Sequence, residues 1–520
     1  MYTVYFPYAN GAPAICEWNT CNMRMEHLQY ANGTLAICEW KAFLLREECF
    51  PFKKGIVSFR KRNFKDCSLA VTAYFDCRLL PYLVILNSQP PFRLNIEYIV
   101  VFLQRKNYRK EAMSNYNTIT LPNGLRIIHA SSPTDVAYCG FAVDAGTRDE
   151  LPQEQGMAHF VEHLIFKGTH KRKPWHILNR MENVGGDLNA YTNKEETVAY
   201  CAFMKEHFQR AAELLTDIVF DSIFPQQEID KEVEVIIDEI QSYEDSPAEL
   251  IFDDFEELIF PNHSLGRNIL GKPERLRQFV SDDALHFVNR YYKTTNMVFF
   301  VFGDIDFKRV VRIMEKLTSG IALGTVGDYK RLAPDVYVPA FKEISRDTHQ
   351  AHVMIGARGY SAYNERRTGL YLLNNILGGP GMNSRLNISL REKRGLVYNV
   401  EANLTAYTDT GTFCIYFGCD PDDADYCMEL VRKELKKLRD KALTSGQLDA
   451  AKKQIMGQIG VAGDNFENKA LDMGKCFLHY GKYDSKEEVF RRIEALTPAG
   501  LLDVANEMFS EDYLSTLVYR

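Results

Sequence analysis

His159 and His163 stand four residues apart with Glu162 between them, and this spacing constrains the chain more than any other feature. Positions four apart lie one above the other on a helix, so both imidazoles face one point in space. Glu162, three residues after His159, shares their side and can hold a water there. The flanking Met157, Ala158, Phe160, Val161, Leu164, Ile165 and Phe166 recur at helical spacing, and Gly168 suits a C-cap. A helix ending near Gly168 is therefore expected. The order H-x-x-E-H reverses the commoner H-E-x-x-H metal signature. A structural metal site would more often use four protein ligands rich in cysteine, with no spare carboxylate between the histidines. No cysteine lies near this pair.

Two donors need a third. The stretch from Gln226 to Asp245 reads as a helix whose buried stripe is Ile229, Val233, Ile236, Ile237 and Ile240. Glu239 sits beside that stripe, where an ionised carboxylate is costly unless paired or bound to a metal. Glu232 lies seven residues earlier, two turns up nearly the same face. Two histidines and one glutamate, with water in the fourth position, make an established hydrolytic zinc set.

His159, Glu162 and His163, followed 76 residues later by Glu239, resemble the inverted-motif zinc peptidases, the family of pitrilysin, insulin-degrading enzyme and mitochondrial processing peptidase. The flanks Ala145 to Glu150, Phe166 to Thr169, Asn189 to Thr192 and Asp238 to Ile240 are similar to that family's, and its short bacterial branch is the nearest match. The similarity runs from about Asn117 to the C-terminus. It implies one zinc per chain held by His159, His163 and Glu239, with Glu162 as general base and Glu232 as an acid behind the ligands. It also implies that Arg391 and Tyr398 reach across from the second half to the substrate, and that Asn189, Ala190, Tyr191 and Thr192 form a sheet edge to which an extended peptide adds as a strand. The implied activity is metal-assisted hydrolysis of unfolded peptides by an endopeptidase. A homodimer, or pairing with a related subunit, is implied as well. The alternative is a non-catalytic scaffold or partner subunit, of which such families have examples.

Composition limits the other classes. The 520 residues carry a net charge of −7, which offers no electrostatic reason for a nucleic-acid partner. No run of about 18 uninterrupted apolar residues appears, so no membrane span is expected. No signal peptide is evident, and a cytoplasmic location is the expectation. The first 112 residues differ from the rest. They hold 15 basic and 9 acidic residues, a net of +6, against 47 and 60 in the remaining 408, a net of −13. They also hold six of the 12 cysteines and an echo, at an offset of 22 residues, of Tyr8-Ala9-Asn10-Gly11 in Tyr30-Ala31-Asn32-Gly33. Their cysteine spacing shows no C-x-x-C pair. Met113 directly precedes a strand-like run with an Asn123-Gly124 turn, and the expectation is that the working chain starts there.

Beyond Met113 the pattern predicts α+β architecture, two similar α/β-sandwich halves of mixed or antiparallel sheet covered by helices. The expected divisions are an atypical extension over 1–112, a zinc-binding domain over 113–324, a linker over 325–338, and a second domain without metal over 339–520. Other residues are discounted as sites. His349 and His352 are three apart near a strand, where they face opposite sides. His170 and His176 belong to a basic, solvated loop. The acidic run Asp253-Asp254-Phe255-Glu256-Glu257 is read as one wet face of a helix. Cys139, Cys201, Cys414, Cys419, Cys427 and Cys476 read as reduced core residues.

Overall fold

Alternation along the strands decides the architecture. The computed structural model describes residues 116–520 except 328, 329 and 347; before residue 116 it describes only the backbone of short strands such as Ser68–Phe75 and Tyr82–Gln89. The expected start at Met113 lies outside the described residues, as do the side chains of the six N-terminal cysteines. Residues 1–110 and 111–520 form separate units, and the second carries the motifs.

The first sheet of that unit contains β1 (Asn117–Thr120), β2 (Arg126–Ala130), β3 (Val136–Val143), β4 (Asp187–Thr192), β5 (Thr197–Met204) and β6 (Met297–Phe302). Their order is β4-β5-β3-β6-β2-β1, and only β2 and β6 run parallel. The second sheet contains β7 (Phe341–Ile344), β8 (Ala351–Gly359), β9 (Val397–Ala406), β10 (Gly411–Cys419) and β11 (Ser515–Tyr519), in the order β9-β10-β8-β11-β7. Here only β7 and β11 are parallel. Set β1 aside, and the two sheets have one topology: third, fourth, second, fifth, first, with first and last parallel. The halves are repeats, as expected. The turn into β2 is also as expected, with Gly124 at φ +87°.

Successive residues of a strand face opposite sides. Phe141 and Phe299 look into one core, packed on Phe160, Leu214 and Ile236, while Ala142, Val298 and Phe300 look into another. That second layer comes from the other half. Helix α4 (Phe466–Tyr480) lays Ala470, Met473 and Phe477 on the outer face of the first sheet. The first half reciprocates, its helix α3 (Pro247–Ile259) laying Ile251, Phe255 and Ile259 against Met354, Tyr416, Leu517 and Tyr519 of the second sheet. Because both faces are covered, β6 can be apolar throughout, and all six of its residues are buried.

Two expectations are corrected. The acidic run on α3 is not a wet face, because the second sheet covers it. Asp254 accepts the Tyr519 hydroxyl at 2.6 Å, and Glu256 accepts Tyr407 at 2.7 Å beside Lys194 at 3.0 Å. Burial pushes the Asp253 carboxyl up to about 6; Glu257 alone of the run is exposed. The metal-motif helix also ends early, at Leu164 rather than Gly168. Gly168, at φ +137°, turns the chain out so that Thr169 can bridge to Ser222. His170 and His176 are exposed, while His352 is buried against the Tyr416 hydroxyl at 2.9 Å. The six described cysteines are free, five of them buried. Among the described residues, no helix is long and apolar enough to cross a membrane.

The close seat of α4 depends on Gly474, where a Cβ would stand 2.5 Å from Phe300 Cδ1. Replacing a helical glycine by alanine ordinarily gains up to about 1 kcal/mol. Overpacking a core costs about 1–3 kcal/mol, so Gly474→Ala should lower the urea midpoint, and a raised midpoint would contradict this packing.

The same helix carries His479, whose Nε2 meets Glu196 Oε2 at 2.8 Å. Burial opposes charge on His479, but Glu196 and Asp144 win and raise it above its ordinary value. Burial likewise opposes charge on Glu196, which His479 nevertheless holds below the usual carboxylate range. A raised histidine stabilises fully below its unfolded value of about 6.5 and loses that contribution as pH rises through the folded value. The depressed glutamate contributes above about 4.5 and fails as pH falls through its folded value. The difference in melting temperature between wild type and His479→Gln should therefore be widest near about pH 6 and narrow on the alkaline side. A difference independent of pH would show that the pair carries no charge.

Candidate metal centre

Helix α1 (Met157–Leu164) begins at Gly156, at φ +95°, which has no side chain to cap it. A distant carboxylate takes that role: Glu150 accepts the N–H of Gly156 at 3.0 Å and of Ala158 at 2.8 Å. Burial pushes Glu150 up to about 8, against the pull of these N–H groups. Met157, Phe160, Val161 and Leu164 are fully buried. The opposite stripe of α1 therefore presents His159, Glu162 and His163 together, with imidazole centroids 4.7 Å apart.

Helix α2 (Gln226–Glu244) brings the third donor, buried through Ile229, Val233, Ile236, Ile237 and Ile240 as its periodicity predicts. Glu239 Oε2 lies 3.8 Å from His159 Nε2 and 3.9 Å from His163 Nε2. Donors about 2.0–2.1 Å from a tetrahedral ion stand about 3.4 Å from one another. Both glutamate-to-imidazole distances thus lie within about 0.5 Å of that spacing, and the three groups, with donor atoms all within 4.8 Å of one another, form the His/Cys/Asp/Glu cluster that could hold an ion among the described residues. Burial, reinforced by the neighbouring His163, pushes His159 down to about 3, so its ring is neutral and its lone pair available.

Glu232 sets the other ring. Its Oε2 lies 3.1 Å from His163 Nδ1, and its Oε1 lies 2.6 Å from Lys167 Nζ. Burial alone would raise this carboxyl, but His163 and Lys167 hold it below the usual range. An ionised carboxylate only accepts, so Nδ1 donates, and Nε2 is the ring nitrogen that faces Glu239. Lys167, one turn beyond His163, was not singled out in the sequence; its i+4 spacing was the available signal.

Glu162 lies beside the cluster. Burial pushes its carboxyl up, while the hydroxyl and main chain of Thr192 and the His163 ring pull it down and Glu239 adds to the rise. Thr192 ends β4, the outermost strand of the first sheet, which carries Asn189, Ala190 and Tyr191 and packs against α1. The structure therefore unites His159, Glu162, His163, Glu239 and Glu232 and sets the Asn189–Thr192 edge next to them. Arg391 and Tyr398 are brought to each other, the guanidinium 5.8 Å from the ring centre, and make no contact with the cluster. Arg391 closes a π-helical turn, Asn387–Glu392, and Tyr398, 85% exposed, sits in a bulge between Val397 and Val400 on the edge strand β9. A bulge re-aims a side chain, and π-helical turns recur at functional sites.

The family model described as Insulinase (Peptidase family M16) matches residues 126–273, and the one described as Peptidase M16 inactive domain matches 278–455. The chain belongs to the M16 peptidase family. An uncharacterized zinc protease of Rickettsia bellii (strain RML369-C) is 32% identical over 405 residues, which is 78% of this chain and 97% of the relative. The uncharacterized zinc protease YmxG of Bacillus subtilis (strain 168) is 32% identical over 401 residues, 77% of this chain and 97% of the relative. A protease from Helicobacter pylori shares the fold with a TM-score of 0.73 at 20% identity, covering 78% of this chain and all of that one. A peptidase M16 inactive domain from Pseudomonas fluorescens does so with a TM-score of 0.72 at 18% identity, covering 78% of this chain and 98% of that one.

Removing the carboxylate that orients a metal-binding histidine typically costs about 10–100-fold in affinity. Glu232→Gln should weaken zinc binding by that factor, read by competition with a chromogenic chelator. Unchanged affinity would separate Glu232 from the metal site.

Proposed function

We propose that this protein is a zinc-dependent endopeptidase acting on unfolded peptides bound in extended form. The observation that carries the reading is the convergence of two imidazoles and a carboxylate around one point, with a half-buried glutamate from the helix of the two histidines beside them. His159, His163 and Glu239 would hold the ion. When bound, zinc supplies Lewis acidity, lowering the pKa of a water from about 15.7 towards about 7 and drawing charge from the scissile carbonyl. Glu162 takes the proton of the attacking water on a carboxylate oxygen and gives it to the nitrogen of the leaving amine. The raised carboxyl suits that exchange, since a base must also return its proton. Glu232 and Lys167 keep the His163 ring in its orientation.

The free edge of β4 offers main-chain donors and acceptors to an extended peptide, which selects for unfolded chains and reads side chains weakly. Arg391 would hold a carbonyl or carboxylate of the substrate, and Tyr398 would donate to the carbonyl oxygen as it gains charge. Their exposure leaves both free to meet a bound peptide. A homodimer, or pairing with a related subunit, belongs to the same proposal.

Removing a general base typically costs about 10²–10⁴-fold in rate. Glu162→Gln should lose cleavage of a quenched, unstructured peptide by that factor while binding as much zinc as wild type. Equal cleavage by both proteins would overturn the assignment of the base. Absence of cleavage by zinc-loaded wild type would favour a scaffold.

A further inference from the structure

Three consecutive charged residues, Lys194, Glu195 and Glu196, form the turn between β4 and β5, yet they are only 4%, 5% and 7% exposed. Charged side chains are rarely buried unless paired, and each of these is paired to a different element. Lys194 Nζ reaches the Arg267 carbonyl at 2.6 Å and Glu256 of α3 at 3.0 Å. Glu195 accepts from Arg148 at 2.5 Å, and from the N–H and hydroxyl of Thr408 at 2.8 and 2.7 Å. Glu196 meets His479 of α4 at 2.8 Å.

The partner of Glu195 has a particular place in the fold. By strand order, the β9–β10 turn of the second half is the counterpart of the β4–β5 turn of the first. Each is closed by the same bond, from Asn193 N to Glu196 O and from Tyr407 N to Thr410 O, both at 2.9 Å. Glu195 and Asp409 are therefore equivalent positions. Arg148 stands between these two acids, donating to Glu195 and, through both of its terminal nitrogens, to Asp409 at 2.8 and 2.5 Å. Main-chain bonds add to this, from Thr147 N to Asn193 O and from Arg148 N to Lys194 O. Gly146 lies so near Asn193 and Lys194 that a Cβ there would overlap their main chain. Arg331 donates to the Glu195 carbonyl at 2.8 Å and pairs with Asp149.

Thr192 directly precedes this turn and ends β4, the strand that packs against α1, the helix carrying Glu162. We propose that the meeting of the two equivalent hairpin turns, through Glu195, Thr408, Arg148 and Asp409, is the device by which the second half positions the general base. Glu195 is then a positioning residue: it holds the end of β4, and β4 holds Glu162. The second half contributes to the chemistry through this contact, whatever its own Arg391 and Tyr398 do. The proposal rests on the peptidase reading for its kinetic consequence, although its structural consequence is independent of it.

The test compares Glu195→Ala, Glu195→Gln, Thr408→Val and a control, Leu438→Ala, whose side chain is buried in the second core away from the turns. Small displacements of a catalytic group cost about 10–100-fold in rate. Glu195→Ala should lower kcat for the quenched peptide by that factor at wild-type zinc content, with Thr408→Val intermediate. Glu195→Gln, which keeps an acceptor for Thr408, should recover most of the rate. In metal-free protein, amide exchange of Asp187–Thr192 should speed up in Glu195→Ala and stay unchanged in Leu438→Ala. The proposal fails if Leu438→Ala, compared at equal loss of melting temperature, loses as much kcat, or if exchange in β4 does not change. If wild type itself cleaves nothing, the peptidase reading fails, and the exchange measurement still decides the role of the turn.

Discussion

Glu239 must reach from α2 to two imidazoles on α1, and the rest of the first half exists in a form that permits this meeting. Helix α1 has eight residues, too few to be stable alone. Its position is imposed by four buried apolar side chains on one stripe and by the Glu150 carboxylate at its N-terminus. Three glutamates and two histidines placed together in a half-buried site would be unfavourable unless each found a partner. Glu232 has His163 and Lys167 and Glu162 has Thr192, while Glu239 Oε2 stands 3.8 and 3.9 Å from the two Nε2 atoms, too far for a hydrogen bond and spaced for a shared cation. The arrangement is already oriented to receive a cation, since both Nε2 atoms point at one carboxylate oxygen.

The second half matters to this site although it holds no metal motif. It repeats the topology of the first, lends α4 to the first sheet and receives α3 on its own. Such an exchange gives the two halves a shared core instead of a thin interface, so the central strands of both sheets are covered on both faces. Where the equivalent hairpin turns meet, the contact changes from apolar to ionic. Burying Arg148, Glu195, Glu196 and His479 there is tolerated because nearly every charge meets an opposite one. The apolar layers provide stability, and the charged turns specify how the halves are set against each other.

Much of this was legible along the chain. The shared helix face of His159 and His163, the buried stripe of α2, the turn at Asn123-Gly124 and the two similar halves all appear in the structure. The two surprises of buried charge share one cause. Asp253 to Glu257 read as a wet face because acids on a helix usually are, but a sheet contributed by the other half lies over all of them except Glu257. Lys194, Glu195 and Glu196 attracted no notice because charged residues in a tight turn ordinarily face water. Their partners, Arg267, Arg148, Thr408 and His479, lie between 47 and 283 residues away in the chain. No local pattern records that distance.

By itself, then, the sequence determined which chemical groups could work together, because spacing on a helix or strand follows from backbone geometry and needs no knowledge of neighbours. It determined that His159, Glu162 and His163 would share one helix face, that Glu239 would lie beside the buried stripe of α2, and that each half would be a sheet covered by helices. Tertiary structure alone decided which charges would be buried, which helix would cover which sheet, and which turn would grip which. Those outcomes depend on long-range packing, where the environment of a side chain is made by residues hundreds of positions away.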